Sequence, residues 1–124
     1  MHFSCRKSIV GSPMDLEVFN EKFVEANIAM SSGNLEGLKK GISLLVDSLS
    51  VAGLYVQDIR SAIDFLSIAL SCHERAQKGP WNIGYGVIAW KNDLWERDEA
   101  LKEAWTHIKA VNDKLVEKGL GWNY

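Results

Sequence analysis

The sequence predicts an all-α fold, an antiparallel bundle of four to five helices, and three observations carry that expectation. Apolar residues recur at spacings of three and four in four long segments. Only Pro13 and Pro80 punctuate the 124 residues, too few breakers for the many short strands of a sandwich. The links between periodic segments are short, which suits antiparallel neighbours. A chain of this length can bury a real core, and a hydrophobic content of 47% is too high for a disordered chain.

Residues 1–11 have no clear period and read as an N-terminal extension, with residues 12–124 as a single helical-bundle domain. The stretch Gly11-Ser12-Pro13-Met14 is either a cloning remnant before a start at Met14 or a helix entry. In the second case Ser12 is the N-cap, Pro13 the first helical residue and Asp15 the closing member of a capping box. A first helix is expected over Pro13 to Met30, with Leu16, Phe19, Phe23, Ala26 and Met30 on one face. Ser31-Ser32-Gly33 ends it, and Asn34 is placed to cap the next helix.

The second helix carries Leu35, Leu38, Ile42, Leu45 and Leu49 on its main stripe. Gly37 and Gly41 are costly in a helix interior, so they point to close approach of another backbone. On a wheel of 100° per residue, Leu44, Val51 and Tyr55 fall on nearly the opposite side. Gly53 marks a break before a third helix, Val56 to Gln77, whose main stripe is Ile59, Ile63, Leu66 and Leu70. Phe65, Ile68 and Cys72 lie off that stripe. Between Ile42 and Cys72 there are only four charges, more apolar surface than one small core consumes. Lys78-Gly79-Pro80 stops the third helix. Trp81–Trp90 reads as a loop passing into a short fourth helix. A last helix is expected after an Asp98 cap, with Leu101, Ala104, Trp105, Ile108, Val111 and Leu115 on one face and a Schellman ending at Gly119-Leu120.

Composition excludes several classes. The net charge is −2, spread evenly over the two halves, so no basic field exists to bind nucleic acid. Two cysteines, Cys5 and Cys72, are too few for a disulfide scaffold. The apolar run after Arg6-Lys7 is too short for a signal peptide, and no charge-free run spans a bilayer. The expectation is therefore a soluble, cytoplasmic protein without a membrane partner.

No motif points to catalysis, a metal or a cofactor, and the chain is expected not to be an enzyme. Glu103 and His107 are spaced i,i+4, but the wheel sets them at the rim, as a solvated pair. No Glu-x-x-His pair occurs for a carboxylate-bridged metal bundle. Cys72 reads as a small apolar core residue near a helix C-terminus, where the dipole disfavours a thiolate. Gly79 to Gly86 lacks the Lys-Ser/Thr of a phosphate loop.

One unevenness remains. All five tryptophans lie in the last 44 residues, together with Tyr85 and Tyr124. Trp90 and Trp105 fit core stripes. Trp81, Tyr85, Trp95 and Trp122 are the candidates for exposed binding contacts, because aromatic side chains dominate interaction hot spots. The expected function is a protein–protein interaction module of inhibitor, immunity or accessory type. It is expected to self-associate through Leu44, Val51, Tyr55, Phe65 and Ile68, and another protein is a further partner. The alternative is a small-molecule binder with an aromatic pocket around Trp81–Trp95.

Overall fold

The computed structural model describes residues 14–123. Four α-helices follow one another among them: α1 (Leu16–Met30), α2 (Leu35–Ser48), α3 (Val56–Ala76) and α4 (Gly86–Val116). Two 3-10 turns, Leu49–Val51 and Gly53–Tyr55, join α2 to α3. The fold is all-α. The N-terminal extension and the Ser12-Pro13 helix entry lie outside the described residues. α1 begins at Leu16 rather than Pro13, and its cap is Asp15, whose Oδ1 accepts the Val18 N–H at 3.3 Å.

The α1–α2 turn follows its local chemistry. Gly33 takes φ +74°, a conformation that side chains resist, and Asn34 Oδ1 accepts the Gly37 N–H at 2.7 Å. The two helices then cross closely. A Cβ on Gly41 would lie 2.2 Å from Met30 Cγ, and one on Gly37 would lie 2.3 Å from the Ala29 carbonyl oxygen. Neither position has room for alanine.

The main core joins all four helices. Phe19, Phe23, Ala26 and Met30 of α1 meet Leu45 of α2, Ile59 and Leu66 of α3, and Ile108, Val111 and Leu115 of α4. Tyr55 belongs to this core. It is 6% exposed and its ring centroid lies 5.5 Å from that of Phe19. This corrects its expected place on an oligomer surface. A wheel continued straight through Gly53 points Tyr55 outward, but there φ is +51° and the chain winds through two 3-10 turns. That change of direction swings Tyr55 inward.

A second correction concerns α4, which is one helix of 31 residues. Asp98 is not a cap; it lies mid-helix, its carboxylate accepting from Arg97 Nε at 3.0 Å. A capping residue starts a helix only where something else interrupts it, and no Gly or Pro occurs between Val87 and Val116. The helix ends as the sequence predicts: the Leu120 N–H reaches the Leu115 carbonyl at 2.9 Å, with Gly119 at φ +78°. The tail then folds back. Asn112 receives the Trp122 N–H at 2.7 Å and donates to its carbonyl at 2.8 Å, while the Gly121 N–H bonds Asn20 Oδ1 at 2.9 Å.

α3 and α4 run antiparallel, with Asp58 beside His107 at one end and Arg75 beside Asp93 at the other. The Lys39–Glu74 ion pair, 3.8 Å, marks where α2 meets the far part of this hairpin. Beyond that level α3 runs only to Ala76, whereas α4, whose Asp93 pairs with Arg75, carries seven further residues, 86–92. None of its residues there belongs to the main core. The molecule thus has a four-helix body and an arm formed by the C-terminal end of α3, the loop after it and the N-terminal part of α4.

Candidate functional site

The arm is held by small side chains and one polar clamp. Ala69, Cys72 and Ala76 of α3 are buried, as is Asp93 of α4. Asp93 Oδ1 accepts from Arg75 Nε at 3.1 Å and from Arg75 Nη2 at 2.9 Å, and its Oδ2 accepts the Tyr85 hydroxyl. The Arg75 guanidinium, then the Tyr85 hydroxyl, hold the Asp93 carboxyl below the usual carboxylate range. Loss of solvent, then the bond to Asp93, pushes the Tyr85 phenol up to about 12. Cys72 sits beside the clamp, 3.4 Å from Arg75 Nη2 and 3.8 Å from Glu96 Oε2, and burial raises its thiol. A thiol that is buried and protonated is a packing group, not a nucleophile.

Away from the clamp the arm carries exposed large apolar side chains. Trp81 is 87% exposed, Ile88 75% and Trp95 65%, and Ile83 is fully exposed. Ile88 and Trp95 are seven residues apart and so share one face of α4, with Trp81 and Ile83 in the loop before it. Trp90, by contrast, is half-buried.

A separate cavity of about 320 Å³ lies where the α1–α2 turn meets the α3–α4 hairpin. Met30, Leu35, Leu38, Leu66, Leu101 and Trp105 supply its apolar walls. Its polar side is His73, Arg97 and Asp98, with Gly33 and Asn34 at the turn. Arg97 Nη1 donates to His73 Nδ1 at 3.2 Å, which leaves the proton of a neutral ring on Nε2.

The residues expected to bind or to form an oligomer surface are dispersed. Trp81 and Trp95 are exposed as expected. Tyr85 is half-buried and committed to Asp93, and Trp122 is half-buried with its backbone fixed by Asn112. The cavities at Met30–Trp105 and at Ser67–Glu96 are lined by none of Trp81, Tyr85 and Trp95. Leu44, Val51 and Phe65 pack partly against the core, leaving Ile68, 48% exposed, as the one open member of the expected oligomer surface. Phe65 stacks on His107, ring centroids 6.1 Å apart. His107 itself pairs with Asp58 Oδ1 at 2.9 Å across the hairpin, not with Glu103 on its own helix.

Two features escaped sequence reasoning. The clamp joins residues 18 and 8 apart, outside any helical spacing rule. Trp105, expected in the core, is half-buried and walls the cavity. Among the described residues no group of three or more His, Cys, Asp or Glu could hold a metal ion, and no helix is long and apolar enough to cross a membrane. The chain matches no family model, and neither a curated protein nor a solved structure matches it.

Proposed function

We propose that the protein is a protein–protein interaction module that self-associates through the open face of its arm. The observation that carries this reading is the run of exposed large side chains at Trp81, Ile83, Ile88 and Trp95. Apolar surface gathered on one projecting element is what interaction sites present and what a lone soluble chain avoids. Rigid, amphipathic tryptophans are the side chains that most often anchor such contacts.

A second copy of this chain suits the face better than an unrelated partner. Lys91 and Glu99 flank Trp95 at a spacing of four on either side, so all three share a face. In a two-fold, antiparallel crossing centred at Trp95, each Lys91 meets the Glu99 of the other copy, and the two tryptophans meet at the axis. An isologous interface requires this kind of self-complementarity. The inhibitor, immunity or accessory role then falls to the assembled dimer, which keeps both bodies free on its flanks.

Hydrogen exchange at two protein concentrations tests the reading. Amides over residues 86–99 should exchange more slowly at 100 micromolar than at 0.1 micromolar, with no change in α1. Exchange that is independent of concentration throughout the chain contradicts it.

A further inference from the structure

We propose that the cavity between the α1–α2 turn and the α3–α4 hairpin is a binding site for a small planar apolar molecule bearing one carboxylate or similar anion. This inference is independent of self-association, since the cavity lies at the end of the body rather than on the open face of the arm.

Three observations carry it. The volume, about 320 Å³, lies in the range of cavities that enclose small organic ligands. The walls are of the required kind, aliphatic on most sides with the indole of Trp105 on one, a surface that favours a flat ring by offset stacking. The cavity's charged groups, Arg97 and Asp98, sit together beside His73, and the Arg97 guanidinium is the fixed donor among them. Arg97 has a side chain only 26% exposed, and its guanidinium faces His73 on α3 and Asp98 on its own helix.

The Arg97–Asp98 contact is the device that makes an anion the fitting ligand. Asp98 is the next residue along the helix, and its side chain is 63% exposed, so its hold on Arg97 is a weak, solvated one. A ligand carboxylate takes the guanidinium edge that Asp98 now holds through Nε and Nη2, displacing that exposed side chain and making the forked pair in its place. His73, whose Nδ1 accepts from Arg97, also lines the cavity and helps to hold the guanidinium there. At the turn, Gly33 has no atom within 4 Å of where a Cβ would stand, so the entrance stays open.

The test is a titration of the ¹⁵N-labelled full chain with 2-naphthoate, with neutral 2-naphthamide as the control. Saturable binding is expected, with shifts at Leu38, His73 and Leu101, and affinity for the amide at least tenfold weaker. Arg97→Gln should weaken naphthoate about tenfold and leave naphthamide unchanged. Asp98→Asn, which releases Arg97, should strengthen naphthoate several-fold. Leu101→Trp, which fills the cavity, should abolish binding of both while far-UV circular dichroism is unchanged. The comparison of the two ligands on the unaltered protein needs no variant to fold. Equal affinity for the two, shifts confined to Trp81 and Trp95, or no saturable binding would each overturn the proposal.

Discussion

The body and the arm of this molecule are held together by different means. In the body, large side chains from four helices interlock: Phe19 stacks on Phe23 with centroids 5.7 Å apart and leans on Tyr55, and all three are buried. In the arm only two helices meet, and their contact is made of alanines, a cysteine and a carboxylate bonded to Arg75 and Tyr85. Two helices cannot bury each other on more than one side, so the arm must either present polar residues outward or find another surface. It presents tryptophan and isoleucine. The body exposes apolar side chains too, at Leu54 and Ile28, but the arm's include two tryptophans, and the contrast lies in how large the exposed groups are beside a contact made of small ones.

That contrast can be broken most forcefully in the body. Phe23→Ala removes a fully buried ring that no neighbour can replace, and should cost about 3–5 kcal/mol. Against the roughly 5–15 kcal/mol that holds a domain of this size, such a loss leaves it largely unfolded on mild urea titration. A cost below 1 kcal/mol would mean that the body is not the stabilising core.

The arm should respond locally. Asp93→Asn keeps the shape of the clamp but removes its charge, and hydrogen exchange over residues 78–96 should speed at least tenfold while α1 is unaffected. Acid should mimic this change. Because the folded state holds the Asp93 carboxyl below its ordinary value of 3.8, the clamp's contribution is complete above that pH and is lost as pH falls through the lower folded value. Opening of the arm in acid before the body, followed by near-ultraviolet circular dichroism, is the expected sequence. Simultaneous loss of both would make them one cooperative unit.

The smallest effect is expected where the two regions' rules do not apply, at the half-exposed Asp58–His107 pair. Asp58→Ala should cost about 1 kcal/mol or less by thermal denaturation, as exposed ion pairs and first-turn carboxylates do. A larger cost would show that Phe65 depends on the His107 ring being held in place.

Much of the body was legible because its signals are local. Asn34 and the Gly119-Leu120 ending act through bonds within a few residues, and the faces of α1 and of the second half of α4 follow from simple periodicity. Gly37 and Gly41 announced a close crossing because nothing else justifies two glycines inside a helix. What could not be read depends on direction or on distance in sequence. Tyr55 changes sides because the chain turns at Gly53. Asp98 looks like a cap until the helix before it is known to continue. Arg75, Tyr85 and Asp93 become partners only when the hairpin closes, and Trp105 becomes a cavity wall only because the α1–α2 turn ends opposite it. The aromatics of the last third lay between these cases: the exposure of Trp81 and Trp95 and the partial burial of Trp90 followed from their places in the pattern, but the half-burial of Tyr85 and Trp122 needed the fold.

Sedimentation equilibrium of the unaltered chain beside the double variant Trp81→Ser, Trp95→Ser tests the central claim most directly. Both side chains are largely exposed, so the double variant should keep the monomer's stability within about 0.5 kcal/mol per site. The account expects the unaltered protein to be dimeric at tens of micromolar and the variant to be monomeric at the same concentration. A stable monomer in both, or a dimer that survives loss of both tryptophans, would contradict it.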